Sequence, residues 1–189
     1  MPFLGRQPTP VPLTSSDITD GIISTAKIAD DAVGNTKLDL SANYAFTGTL
    51  SGVGKVLQVV TATDSTQRTT TSTSFVTASN TLAVSITPSS TSNKIFVTTN
   101  FSYLTANGSW AFRPTIYRGS TNLGDSSVGF GSLFDGTNYN YSHATLQILD
   151  SPSTTSATTY QVYIKTVSGT AGINTNNSFA SITAFEIAG

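Results

Sequence analysis

The run Lys94-Ile95-Phe96-Val97-Thr98-Thr99-Asn100-Phe101-Ser102-Tyr103 sets Ile95, Val97, Thr99, Phe101 and Tyr103 on one side of an extended chain. Phe96, Thr98, Asn100 and Ser102 fall on the other. A two-residue period belongs to a strand, whose successive side chains point to opposite faces. The period recurs along the chain. Leu82, Val84 and Ile86 alternate until Pro88 stops them. Ala144, Leu146 and Ile148 alternate with Tyr141, His143, Thr145 and Gln147, and Tyr160, Val162 and Ile164 with Gln161, Tyr163 and Lys165. Val56–Val60 opens the series and Ser181–Ile187 closes it with apolar residues on both faces. A strand of that kind fits a domain packed against sister subunits. Trp110–Tyr117 reads as a strand broken or bulged at Pro114, because proline has no N–H for a ladder. Asn107-Gly108, Arg118-Gly119, Asp135-Gly136 and Ser168-Gly169 supply turn chemistry between the runs. Roughly eight short strands with such punctuation predict an antiparallel jelly roll or β-sandwich over residues 54–189.

Composition agrees with an all-β chain and narrows its chemistry. Charged residues make up 10%, against roughly 25% in an average globular protein. Serine and threonine together supply roughly 30%, where roughly 12–13% is ordinary. Threonine suits the exposed face of a strand, and serine, asparagine and glycine suit turns. Strong helix formers are scarce, with one glutamate, Glu186, and one methionine, Met1. The abundance of aromatic and β-branched residues argues against disorder. The longest apolar runs are only a few residues, too short for a membrane helix. Net charge is −1 without a basic cluster, so the footprint that neutralises nucleic-acid phosphates is missing. No cysteine is present, which removes disulfides, thiolate nucleophiles and cysteine-based zinc sites. The first residues lack the basic stretch and apolar core of a signal peptide. That is expected of a protein assembled inside a cell and released by lysis.

Two further regions precede the strands. Residues 1–16 carry Pro2, Pro8, Pro10 and Pro12 among small polar residues and should be extended. Phe3 and Leu4 give this segment something to bury against a partner, and with Arg6 they are the docking candidates. In residues 17–53, Asp20-Gly21-Ile22-Ile23-Ser24-Thr25-Ala26-Lys27-Ile28 is echoed by Asp31-Ala32-Val33-Gly34-Asn35-Thr36-Lys37-Leu38. Ile22, Ala26, Ala29, Val33 and Leu40 approach a four–three spacing, which suggests a short coiled-coil seam. Gly21 and Gly34 favour instead an irregular stalk of turns and extended pieces. In either form one thin strand of chain cannot bury Ile18, Ile22, Ile28, Val33 and Leu38. Repeats of this kind are stable when stacked on neighbours, which argues for an oligomer.

The stretch from Ile18 to Leu40 resembles the stalk repeats of phage tail fibres. The run from Gly54 to Tyr103 is similar to C-terminal domains of fibre and head-appendage proteins of marine and cyanobacterial phages. The opening Pro-Phe-Leu-Gly-Arg-Gln-Pro and the closing Ala-Phe-Glu-Ile-Ala-Gly resemble the ends of the same group. The resemblance implies a homotrimeric virion protein, docked on another virion protein by its N-terminus, with its β head pointing outward. One repeat pair and one head would make a short projection, so a head fibre, neck fibre or capsid decoration protein is implied as readily as a tail fibre.

The residues offer little for catalysis, and no catalytic, cofactor or metal site is expected. His143 is the single histidine, and a Ser–His pair would need an orienting group and a nucleophile elbow that the sequence lacks. Asp125, Asp135 and Asp150 sit beside turn residues, where aspartate commonly caps or bends the chain. Trp110, Phe112 and Phe134 read first as core residues. Binding by the head to host surface glycan is the open alternative, because aromatic faces stack on sugars and amides bond hydroxyls. Its candidate contacts are Asn107, Trp110, Tyr139 and Tyr141.

Overall fold

Alternation of this kind yields strands wherever one face can be buried, and eleven form among the described residues. The computed structural model describes residue 14 and residues 55–106, 111–133 and 139–189. The strands are β1 (Val56–Asp64), β2 (Arg68–Thr70), β3 (Val76–Thr77), β4 (Ala83–Ile86), β5 (Lys94–Ala106), β6 (Phe112–Arg118), β7 (Thr121–Asn122), β8 (Tyr139–Asp150), β9 (Thr158–Thr166), β10 (Thr170–Ile173) and β11 (Ala180–Ile187). The docking candidates Phe3, Leu4 and Arg6 lie outside the described residues. So do the stalk residues Ile18, Ile22, Ile28, Val33 and Leu38, the turns at Asn107-Gly108 and Asp135-Gly136, and Trp110 and Phe134.

Two antiparallel sheets result. The six-stranded sheet runs β1-β11-β5-β10-β2, with β8 on the other side of β5, and the five-stranded sheet runs β3-β9-β6-β7, with β4 also on β9. The long strands therefore wrap in pairs: first beside last in one sheet, and β4 beside β9 in the other. This double-sheet wrap is of the jelly-roll kind. The inward faces form one core, to which β5 gives Ile95, Val97, Phe101 and Tyr103, and β9 gives Tyr160, Val162 and Ile164. The predicted inward set of β8 is the observed one, with Leu146 buried and Tyr141, His143, Thr145 and Gln147 exposed. Each fully buried aliphatic or aromatic side chain contributes about 1.5–3 kcal/mol by leaving water.

Pro114 does not break its strand. Register between β6 and β9 is continuous from Phe112↔Thr166 through Pro114↔Ile164 to Arg118↔Tyr160. The Pro114 carbonyl accepts from Phe130 N at 2.9 Å, so its backbone polar side faces away from β9 and the missing N–H removes no β6–β9 bond. Gly119 takes φ 55 in the β6–β7 hairpin. Gly169, at φ 69, turns the chain from β9 in one sheet to β10 in the other.

Candidate functional site

An apolar row exposed on a sheet face is the first place to seek function, and the outward face of the six-stranded sheet carries one. Register places Val59 opposite Phe185, Phe185 opposite Phe96, and Phe96 opposite Leu149. Four strands thus carry one apolar row. Its ends are open, with Val59 52% and Leu149 57% exposed, while Phe96 and Phe185 are half-buried with ring centroids 6.0 Å apart. Val56 and Ile187 pair beside the row, nearer the start of β1. The next rows are polar: Thr61, Thr183, Thr98 and Gln147, then Thr63, Ser181, Asn100 and Thr145. There the side chains bond one another, Thr61 to Thr183 at 3.0 Å and Asn100 Nδ2 donating to Ser181 Oγ at 3.1 Å. The expectation that β11 would be apolar on both faces is met: Ile182 and Ala184 are buried inward, and Phe185 and Ile187 are half-buried outward.

The scarce charges hold this scaffold in place. Glu186 is 1% exposed. It accepts from Gln58 Nε2 at 2.6 Å, Ser89 N at 2.7 Å, Ser89 Oγ at 2.8 Å and Asn93 Nδ2 at 2.5 Å. Burial pushes its pKa up, but the bonds from Gln58, Asn93 and Ser89 outweigh burial and hold it at about 2. Asp64 closes β1 in the same manner. Burial raises its pKa, while bonds from Ser79 Oγ, Thr66 N, Thr81 and Arg68 hold it well below the usual carboxylate range. Asp150 ends β8 and binds Arg118 Nη1 through both oxygens at 2.8 Å. It also accepts from the Tyr160 hydroxyl at 2.7 Å. Burial of Tyr160, with the Asp150 carboxylate beside it, pushes that phenol far above its ordinary pKa.

A concavity lies beside β8. It has a volume of about 290 Å³ and is lined by Pro114, Phe130, Gly131 and Leu133 on one side and His143, Ala144, Thr145 and Leu146 on the other. Consecutive strand residues point to opposite faces, so four in a row line one hollow from the strand's edge. Among the described residues β8 pairs only with β5, and its other edge faces this hollow. His143 is exposed at the rim. No three His, Cys, Asp or Glu side chains are grouped to hold a metal among the described residues.

Of the candidate glycan contacts, Asn107 and Trp110 lie outside the described residues. Tyr139 opens β8 opposite Ala106, and Tyr141 is 55% exposed on its outward face. The described residues thus include two of the four candidates, Tyr139 and Tyr141, both on β8. Phe112 is fully buried, as a core reading requires. Asp125 bends its loop, its Oδ1 accepting from Ser127 N at 2.7 Å and Val128 N at 2.8 Å. Asp150 departs from that expectation: it is a strand residue engaged by Arg118 and Tyr160. The binding role of Glu186 was not legible in sequence, where it stands as one acid in an alternating strand; its inward parity with Ile182 and Ala184 was the available signal.

No family model matches the chain, and no curated protein matches it. Solved structures give low-identity matches. One is a structure of the Gx strain of infectious bursal disease virus, at 15% identity and a TM-score of 0.37. Another is a mutant VP2 protein of infectious bursal disease virus in derived T=1 particles, at 16% identity and the same TM-score. Each match covers 68% of this chain, and the chain spans 36% of the length of those proteins.

Proposed function

We propose that the chain is a non-enzymatic structural protein of a tailed-phage particle, a short homotrimeric appendage docked by its N-terminal segment with its β head outward. Tail fibre, head fibre and neck fibre are the forms this takes, with capsid decoration as the neighbouring role. What carries the reading is the apolar row Val59, Phe185, Phe96 and Leu149, open at both ends and bordered by rows of Thr, Ser, Asn and Gln. Contiguous exposed apolar surface on a soluble domain marks an interaction site, and an assembly protein has partners to cover it. The repeat of residues 17–53, whose apolar residues one thin strand of chain could not bury, supports the same conclusion from sequence, as does its resemblance to fibre stalks.

The trimer is tested by mass in solution. Three chain masses are expected at micromolar concentration, and a single-chain species would overturn it. Docking is tested by the triple variant Phe3→Ala, Leu4→Ala, Arg6→Ala, which should keep the oligomer and lose attachment to particles. Attachment at the wild-type level would sink that part. Imaging of labelled protein on intact particles assigns tail, neck or capsid.

A second reading, an adhesin for host surface glycan, is favoured by exposed Tyr141 near the hollow that His143 rims. It predicts that fluorescent full-length protein stains host cells and that Tyr141→Ala removes the staining. Absence of staining by the wild-type protein excludes it.

A further inference from the structure

The outward face of the six-stranded sheet carries an apolar stretch at one end, bordered by two polar rows. The apolar end is formed by Val56 and Ile187 and by the row Val59, Phe185, Phe96 and Leu149. The chain enters β1 at this same end: Lys55 directly precedes Val56, and 54 residues of sequence stand before it. Copies of the chain held together through those residues are tethered beside this row. The row contains no ionisable group, and the charged ammonium of Lys94, on the strand position beside it, is directed to Ser151 Oγ at 2.8 Å. When two such rows meet, water leaves apolar surface on both partners.

We infer that the occupant of this face is a second copy of the same chain. In the assembled oligomer the heads meet through the row Val59, Phe185, Phe96 and Leu149, while the threonine and serine rows beyond it stay wet. The inference rests on the oligomer proposed above and adds the surface by which its heads touch.

The absence of cysteine from the sequence makes the test direct. Val59→Cys and Leu149→Cys are made singly in the full chain, with Thr159→Cys as the control on the outward face of β9. Surface substitutions of this kind leave stability within about 0.5 kcal/mol. Each variant is sized in solution and then treated with a short bis-maleimide. Cross-linked chains should form at Val59 and Leu149 in yields at least about tenfold above Thr159, because thiols facing each other in an assembly meet at high effective concentration. An oligomeric mass with no cross-linking at either position, or with equal cross-linking at Thr159, overturns the head contact and leaves the oligomer standing. A single-chain mass overturns both.

Discussion

Arg118 Nη1 lies 2.8 Å from both carboxylate oxygens of Asp150, and so ties β6 of one sheet to the end of β8 in the other. The side chains are 28% and 10% exposed, enough to strengthen the pair beyond a surface ion pair without the full desolvation cost of a buried one. Tyr160 from β9 donates to the same carboxylate. Asp150→Ala removes the acceptor for both and should destabilise the domain by about 2–3 kcal/mol. Tyr160→Phe removes one donor and should cost about 1 kcal/mol. Chemical denaturation of the two variants measures the difference, and equal losses would show that the carboxylate's partner is Tyr160 alone.

Glu186 makes the fold acid-sensitive. Its folded pKa, about 2, lies below the ordinary glutamate value of 4.5. The folded state therefore holds the charged form more tightly than the unfolded chain does. This contribution is complete above about pH 5 and is lost as pH falls from 4.5 toward 2. A shift of this size corresponds to stability on the order of 3 kcal/mol. Asp64 adds an acid loss of the same sign. Glu186→Gln should be less stable than wild type at pH 7, since its amide would face the donors Gln58, Ser89 and Asn93. It should also lose less stability between pH 5 and pH 3. Denaturation midpoints at the two pH values give the comparison, and parallel curves would remove Glu186 as the acid switch.

Strand content and facing were legible because they follow from local parity. The inward sets of β5, β8 and β9 could be read from spacing alone, since one face of each packs on the core. Which strands pair was not legible, because pairing joins Val59 to Phe185 and Phe96 to Leu149 across long stretches of sequence. The apolar row is a property of register, and no single strand displays it: β1 offers one valine, β8 one leucine. Pro114 misled for the opposite reason. Its cost depends on which side of the strand its nitrogen faces, and the sequence does not carry that. The glycan candidates came from residue type without placement, and among them β8 presents Tyr141 as an exposed side chain.

Two glycines in the left-handed region separate conformational strain from crowding. Gly119, at φ 55, has open space where a Cβ would go. Gly119→Ala should cost only the backbone term, about 1 kcal/mol. Gly129, at φ 67, approaches the Pro114 carbonyl so closely that a Cβ would overlap it, with the Phe75 ring also in reach. It also exchanges backbone bonds with Asp125, at 3.0 and 2.8 Å. Gly129→Ala should lose about 3 kcal/mol or more, because backbone must move. Thermal unfolding of both variants tests the contrast, and a Gly129→Ala protein as stable as Gly119→Ala would mean that the loop over β6 yields freely.

An aromatic clamp joins the sheets at Phe112. Its ring stacks on Tyr103 with centroids 4.9 Å apart and planes within 6°, and it meets Phe101 edge-on at 6.0 Å. Tyr103 and Phe101 come from β5 and Phe112 from β6, so the three rings span the interior between sheets. Phe112 is fully buried. Phe112→Ala leaves a cavity between rigid walls and should cost about 3–5 kcal/mol. Phe112→Leu keeps most of the volume but loses the ring contacts, which are worth about 0.5–1.5 kcal/mol beyond area. If the sheets can close on the smaller residue, both losses fall below 1.5 kcal/mol, and equilibrium unfolding in urea distinguishes a rigid clamp from a collapsible one.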